Sequence, residues 1–245
     1  MSEPVSRRVM IRRSAAAAAS SILGRTMHAR ENLVPAVTLV DHLLLGSADL
    51  DRGVEWVQRL TGVTAIVGGT HPGRGTRNAL LSLGGGQYFE IIAPDPAQPA
   101  AGLPKDLRAL TTPKLIGWAA RATDIDALAR NIRARGLQVF GPRDGSRARP
   151  DGKLLEWKTL GANSSLGGGE VDPIPFFIEW LPAAVHPSQD SPQGCTLTSL
   201  EFAHPDAGTL KETLAKLGID ATVNASKSAR LTAVLDTPKG RTLIG

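Results

Sequence analysis

Three apolar stretches each predict a buried strand followed by an amphipathic helix, and they recur about every 75–80 residues. In each helix the apolar residues are spaced three and four apart, as in Leu50, Val54, Val57 and Leu60 of the first. An aspartate precedes each helix and a glycine follows it, which favours an N-cap and a left-handed C-cap. The predicted starts are Asp49, Asp124 and Asp206, and the predicted ends are Gly62, Gly136 and Gly218.

Short strand candidates follow each helix. Within residues 154–160, for example, Leu155 and Trp157 alternate with Glu156 and Lys158, which is typical of a half-exposed strand. One helix for each group of strands favours an α+β fold with an antiparallel sheet over a doubly wound parallel sheet. We therefore expect a domain of two βαβββ units at residues 33–190 and a third, shortened βαββ unit at residues 191–245.

Residues 1–32 form a basic leader. Its first 30 residues contain six arginines and one acid, Glu3, and so account for the whole formal net charge of +5. The pair Arg7 and Arg8 precedes a short, weakly apolar stretch, which resembles a twin-arginine export signal. This signal predicts a periplasmic or exported protein. A disordered basic N-terminus of a cytoplasmic protein and a mitochondrial-type transit segment fit the same composition.

The rest of the chain excludes several classes of partner. Residues 31–245 contain 22 basic and 22 acidic residues, so a basic surface for nucleic acid is not expected. No apolar run is long enough to span a bilayer, so we expect no membrane contact in the mature protein. The single cysteine, Cys195, cannot form an intramolecular disulfide. The third unit lacks a partner unit and would either cover a sheet edge or pair with a second copy, forming a homodimer.

Three ionisable residues, His42, Glu90 and Glu179, lie within apolar strand-like runs. Burying such a group alone is costly because it loses its hydration, and a shared divalent cation would relieve that cost. Simpler explanations exist for each residue. His42 could be a core histidine bonded to a backbone carbonyl, Glu90 could form a buried ion pair with Arg77 or Arg121, and Glu179 could reach solvent.

The segment from Gly68 to Asn78 combines four glycines with two arginines and a histidine. Such a loop brings backbone amides and guanidinium groups close to a ligand, which suits a carboxylate or a phosphate. The alternative is a tight hairpin in which the glycines serve only the backbone geometry. The candidate substrate-binding residues are His71, Arg74, Thr76, Arg77 and Asn78.

These motifs together resemble a known family. Asp41-His42, Asp49-Leu50, the loop at residues 68–78 and Tyr88-Phe89-Glu90-Ile91 resemble the glyoxalase-like domains of the vicinal oxygen chelate superfamily. The resemblance covers about residues 36–185. It implies that two βαβββ units form an open antiparallel barrel around a divalent metal ion, with ligands from the first and last strands of each unit.

The resemblance also implies roles for individual residues. His42, Glu90 and Glu179 would bind iron, manganese, zinc or nickel, and Glu90 and Glu179 would act as catalytic bases. The fourth ligand position falls on Gly117, which has no ligating side chain. The implied activity is isomerase, lyase or ring-opening dioxygenase chemistry on a small vicinal-oxygen substrate. The alternative is a protein of the same fold that binds or sequesters a small molecule without catalysis.

Overall fold

A strand–helix–strand–strand–strand unit occurs twice in succession. The computed structural model describes residues 33–98, 106–148, 152, 154–162, 164–167, 169–182 and 185–245, so the predicted leader lies outside the described residues. A short strand, β1 (Val34–Pro35), and a short helix, α1 (Ala36–Leu39), come first. The first unit then comprises β2 (Val40–Gly46), α2 (Leu50–Thr61), β3 (Ile66–His71), β4 (Thr76–Ser82) and β5 (Tyr88–Pro94). After a 3-10 turn at Leu107–Ala109, the second unit comprises β6 (Lys114–Arg121), α3 (Ile125–Ala134), β7 (Val139–Ala148), β8 (Leu154–Ala162) and β9 (Phe176–Trp180).

The strands of both units form one eight-stranded sheet in the order β3-β4-β5-β2-β6-β9-β8-β7. At its centre β2 and β6 pair antiparallel, with Leu44 opposite Gly117. In each unit the first strand runs parallel to the last, and the remaining pairs are antiparallel. The two halves of the sheet therefore repeat one pairing scheme on either side of the centre. The predicted α+β fold is confirmed, with a mixed sheet in place of a purely antiparallel one.

The two edges of this sheet meet. Arg147 on β7 donates a hydrogen bond to the carbonyl oxygen of Gly68 on β3. Residues on neighbouring positions of a strand face opposite sides of the sheet. In β2, Leu43 and Leu45 are fully buried in the hydrophobic core, whereas His42 and Leu44 line a cavity on the other side.

Aspartate side chains begin the three long helices, as the sequence predicts. Asp49 accepts a hydrogen bond from the backbone N–H of Arg52, and Asp124 accepts one from Ala127. Gly62, directly after α2, has a φ of 82°, which is the left-handed conformation expected of a C-cap. These caps fix where each helix leaves the sheet.

The third unit forms a separate four-stranded sheet. After a short helix, α4 (Pro187–Asp190), it comprises β10 (Thr196–His204), α5 (Ala207–Lys216), β11 (Ile219–Asp220), β12 (Val223–Ala225), β13 (Arg230–Thr237) and β14 (Gly240–Ile244). The strand order is β12-β10-β13-β14, while β11 pairs with β1. The first strand, β10, is parallel to β12 and antiparallel to β13, so the pairing differs from that of the first two units. The unit is therefore not a simple truncated copy.

The third unit shares its hydrophobic core with the other two. Phe202 of β10 packs against Trp118 of β6 with the ring centroids 5.6 Å apart, and the N–H of Leu197 donates to the carbonyl oxygen of Leu83. Within the described residues, no helix combines the length and the apolar character that crossing a lipid bilayer requires.

Removing Phe202 tests this shared core. Phe202 is 1 % exposed, and we expect Phe202→Ala to lower the free energy of unfolding by about 3–5 kcal/mol, because a cavity replaces its ring. Urea unfolding followed by tryptophan fluorescence measures the change. The control is Leu243→Ala, at a position that is 66 % exposed, for which we expect a change below about 0.5 kcal/mol. Equal losses in both variants would contradict the shared core.

Candidate functional site

A cavity of about 600 Å³ lies on the inner side of the eight-stranded sheet. Most of its polar lining comes from the first unit, and its apolar lining comes mainly from the second. The polar residues include His42, His71, Thr76, Asn78, Glu90 and Arg147. The apolar residues include Leu44, Trp157, Ile174, Phe176, Ile178 and Trp180. The ionisable groups of the cavity therefore come mostly from the first unit, and its apolar groups come mostly from the second.

Glu90 is the central ionisable group of this cavity. It lies on β5 and is 7 % exposed. The side-chain amide of Asn78 donates to Glu90 Oε1 over 2.6 Å. His42 Nε2 lies 3.4 Å from Glu90 Oε2, and His71 Nε2 lies 3.4 Å from Glu90 Oε1. An amide and two imidazoles therefore surround the carboxylate, in place of the ion pair with Arg77 or Arg121 considered as an alternative.

These neighbours keep Glu90 ionised. Burial raises the pKa of the carboxyl, but His71, His42, the hydrogen bond from Asn78 and the charge of Arg147 all lower it, and together they outweigh burial. The pKa of Glu90 is therefore below its ordinary value. At neutral pH the cavity contains a carboxylate that can accept a proton.

His71 lies at the end of β3, and its ring is held through Nδ1, the nitrogen that does not face Glu90. Its Nδ1 is 2.8 Å from the hydroxyl of Thr76, across the hairpin between β3 and β4. Burial lowers the pKa of His71 below its ordinary value, with the charge of Glu90 opposing this effect and that of Arg147 adding to it. The imidazole is therefore neutral at pH 7, with one protonated nitrogen and one lone pair.

Asp41 holds His42 in place, a role that was not assigned from the sequence. One carboxylate oxygen is 2.8 Å from His42 Nδ1, and the other accepts a hydrogen bond from Trp180 Nε1 and lies 3.1 Å from His186 Nε2. Neighbouring strand residues normally face opposite sides, but the β2–β6 pairing passes from Val40 to His42 and leaves Asp41 in a bulge. Because the bulge breaks the alternation, the carboxylate of Asp41 lies against the ring of His42.

The pKa of Asp41 is well below its ordinary value. Burial raises it, but the hydrogen bonds with His186 and His42 lower it by more. The sequence signal for Asp41 was its position within an apolar run, directly before His42. His186 also had no predicted site role, and no local pattern distinguishes it from a turn residue.

Glu179 does not join this cluster, which corrects the prediction that it is a metal ligand and a catalytic base. In β9 the side chains of Phe176, Ile178 and Trp180 line the cavity, so Glu179 faces the opposite side. Its Oε2 accepts a hydrogen bond from the backbone N–H of Ile125, at the start of α3. A helix N-terminus stabilises a carboxylate, so Glu179 has a structural partner there.

Arg77 is the other predicted site residue that faces away. Its neighbours on β4, Thr76 and Asn78, line the cavity, whereas an Arg77 guanidinium nitrogen lies 3.9 Å from Asp49 at the start of α2. Strand alternation explains this placement. The other predicted substrate-binding residues, His71, Arg74, Thr76 and Asn78, all line the cavity.

A model of the glyoxalase-like domain matches residues 40–218, which is most of the chain. The chain belongs to the glyoxalase-like domain family. The resemblance seen in the sequence, to the vicinal oxygen chelate superfamily, is thereby confirmed. No curated protein sequence matches the chain.

Two solved structures are similar to this glyoxalase-like protein. A hypothetical protein from Staphylococcus aureus is 16 % identical with a TM-score of 0.61, and the match covers 78 % of this chain and 87 % of that one. Methylmalonyl-CoA epimerase from Mycobacterium tuberculosis is 21 % identical with a TM-score of 0.42, over 63 % of this chain and 96 % of that one.

The donor atoms of this glyoxalase-like domain do not fit a metal centre with ligands from both units. His42 lies seven residues before Asp49, and Gly117 lies seven before Asp124. By the same pairing scheme, Glu90 pairs with Leu44, two residues after His42, and Phe176 pairs with Ala119, two residues after Gly117. The second unit thus has Gly117 and Phe176 at the positions equivalent to His42 and Glu90, and neither has a donor atom.

The remaining candidate ligands are arranged around Glu90. His42 and His71 each approach a different oxygen of that carboxylate. Across the described part of the chain, no three or more His, Cys, Asp and Glu side chains are grouped so that they could hold a metal ion. The predicted set of His42, Glu90 and Glu179 is therefore not brought together.

The role of Asp41 can be tested by unfolding at several pH values. We expect Asp41→Asn to lower the free energy of unfolding at pH 7 by about 3 kcal/mol, because buried ring nitrogens lose a charged partner. Because the folded-state pKa of Asp41 is depressed, its contribution is complete above the unfolded-state pKa and is lost as the pH falls through the folded value. The difference between the two proteins should therefore shrink below about pH 4.

Urea unfolding curves measure both quantities. The control is Asp220→Asn, which removes an exposed carboxylate from β11 and should change the free energy of unfolding little at neutral or at acidic pH. An Asp41→Asn difference that is the same size at pH 7 and pH 3 would show that the charge of Asp41 is not what stabilises this cluster.

Proposed function

We propose that this protein is an enzyme that removes a proton from a carbon next to a carbonyl or carboxylate group of a small substrate, as in isomerase or lyase reactions. The observation that supports it is the ionised carboxylate of Glu90, nearly buried, facing a cavity and flanked by two imidazoles. The burial of this carboxylate has no evident structural purpose, because the amide and the two imidazoles that stabilise it also lose free energy of hydration when they are buried.

Glu90 is the general base in this proposal. Its pKa is below the ordinary value, but a bound substrate would displace water and so remove hydration from the carboxylate. This loss of hydration raises the pKa of Glu90 and strengthens it as a base when substrate is present. Asn78 fixes the direction of the carboxylate through its hydrogen bond to Oε1. The other oxygen, Oε2, faces His42.

His71 is the second proton-transfer group. As a neutral imidazole beside Glu90 Oε1, it can stabilise the negative charge that develops on a substrate oxygen or pass a proton to it. Thr76 holds its other nitrogen, so the ring keeps one orientation. The base and its partner thus lie on two strands of the first unit, β5 and β3, that are separated by β4.

Arginines in the cavity favour an anionic substrate. Arg74 is exposed in the turn between β3 and β4, and Arg147 is buried at the seam between β7 and β3. A guanidinium group binds a carboxylate through a planar fork of donors. Ring-opening dioxygenase chemistry is not part of the proposal, because the donor atoms around Glu90 do not fit the metal centre that it would use.

Hydrogen exchange with solvent tests the proposal. The protein is incubated in D₂O with small 2-hydroxy and 2-oxo acids, and loss of the hydrogen next to the carboxylate or carbonyl is followed by proton NMR. We expect exchange with at least one acid, and a rate at least about 100-fold lower in Glu90→Gln. The matched control is Glu179→Gln, which should exchange at the wild-type rate because Glu179 faces α3.

The same experiment separates the two candidate functions. A non-catalytic binding protein is favoured by Gly117 and Phe176, which leave the second unit without polar groups at the positions equivalent to His42 and Glu90. Tight binding of an acid with no exchange in the wild type would support that function. Exchange that persists in Glu90→Gln would contradict the role of Glu90.

Metal removal provides an independent prediction. We expect dialysis against EDTA to leave the wild-type exchange rate within about twofold of its starting value, since the candidate donors surround a carboxylate instead of converging on one point. The rate is measured by the same NMR assay, with a mock-dialysed sample as the control. A rate lost in EDTA and restored by iron, manganese, zinc or nickel would contradict this prediction.

A further inference from the structure

Gly117 lines the cavity from β6, opposite Leu44 of β2. A Cβ atom placed on Gly117 would meet Leu44 Cδ1 at 3.5 Å and the carbonyl oxygen of Asp172 at 3.8 Å. These are ordinary van der Waals distances, so a Cβ atom at this position would meet no clash. The glycine thus leaves room on the cavity side where any larger residue would project a side chain.

Leu44 is the side chain nearest to this position. Leu44, Ile174 and Phe176 line the same cavity as Gly117. We refer to Leu44, Gly117, Ile174 and Phe176 as the Gly117 slot. The ring of Phe176 stands edge-on to His42, with the ring centroids 5.5 Å apart. The slot therefore adjoins the ionisable cluster and presents an aromatic ring beside it.

The sheet register fixes the distance between the slot and the base. Glu90 pairs with Leu44, and Leu44 pairs with Gly117, on three consecutive strands. Since neighbouring strands are spaced about 4.8 Å apart, Glu90 and Gly117 are about 10 Å apart along the sheet. This distance suits a molecule whose reacting carbon lies at Glu90 and whose apolar end extends across Leu44.

The volume of the cavity agrees with such a molecule. About 600 Å³ is within the range of about 300–1,000 Å³ that is typical of pockets for drug-sized ligands, and a three-carbon acid would leave most of it filled with water. Displacing that water from the apolar wall with a flat ring would be favourable.

We propose that the Gly117 slot binds a ring-sized apolar substituent of the substrate while Glu90 faces the reacting carbon. This rests on the proposed function, and it names the substrate class as small acids that bear an aromatic ring. The specificity for the ring comes from the absence of a side chain at Gly117 and from the flanking ring of Phe176.

Calorimetric titration with matched acids tests the proposal. The pairs are mandelate and glycolate, phenylpyruvate and pyruvate, and phenylacetate and acetate, in each of which a phenyl ring replaces one hydrogen atom. In at least one pair we expect the ring-bearing acid to bind at least tenfold more tightly to the wild type. Gly117→Leu should abolish this preference by filling the slot, and Gly117→Ala should reduce it in part.

Gly208→Leu is the size-matched control, since it makes the same substitution at an exposed position on α5 and should keep the full preference. Thermal unfolding of each variant checks that it is folded. A preference that survives in folded Gly117→Leu would overturn the proposal, as would a wild type that binds no ring-bearing acid or binds both members of every pair equally.

Glu90→Gln separates the slot from the proposed chemistry. We expect this variant to keep the preference for ring-bearing acids, because Gly117 lies two strands away from residue 90. A wild type that shows the Gly117-dependent preference but no hydrogen exchange would refute the catalytic function and leave the slot supported. Exchange without any effect of Gly117→Leu on binding would refute the slot alone.

Discussion

The site depends on one constraint, which is that the charge of Glu90 must be stabilised away from water. Its position within β5 excludes most solvent, so without partners the carboxyl would take up a proton. His42, His71 and Asn78 prevent this. The partners in turn need support, so Asp41 holds His42 and the Thr76 hydroxyl contacts His71. A single buried charge thus accounts for much of the polar network inside the cavity.

This network also links elements that are distant along the chain. The first unit contains Glu90 and its three neighbours. Asp41, however, is held by Trp180, at the end of the last strand of the second unit, and by His186, which comes after that strand. Trp180 is itself part of the cavity wall and packs against Trp157 with the ring centroids 5.4 Å apart. The orientation of His42 therefore depends on the docking of the second unit, so the geometry of the site requires both units to be folded.

The repeated unit provides two equivalent halves with different chemistry. Gly117 of the second unit occupies the position equivalent to His42 of the first, and Phe176 occupies the position equivalent to Glu90. At these positions the first unit therefore gives the cavity ionisable groups and the second gives it none, while Asp144, Arg147 and Asp172 of the second unit line the cavity elsewhere. A substrate with one polar and one apolar end can bind in only one direction to such a cavity, which is what proton abstraction at a defined carbon requires.

Local patterns in the sequence were sufficient for the parts of the structure that depend on local physics. Helix spacing, the aspartate caps and the repeated order of elements were all predictable, because propensity and capping act within a few residues. Glu90 and His42 were predictable as buried ionisable groups because the apolar residues around each of them are close in the sequence. Glu179 has the same local pattern as Glu90, but its partner is a backbone N–H 54 residues away, which no local pattern reveals.

Strand parity explains both the error at Glu179 and the omission of Asp41. Pairing between β6 and β9 makes Phe176 the counterpart of Glu90, and Glu179 follows three residues later. An odd offset reverses the face of a strand, so Glu179 had to face α3 once that register was set. Asp41 is the converse case. Strict alternation would separate it from His42, but the bulge in β2 breaks the alternation, and its carboxylate lies against the histidine. Both outcomes follow from inter-strand register, a property of paired strands that neither strand's sequence specifies alone.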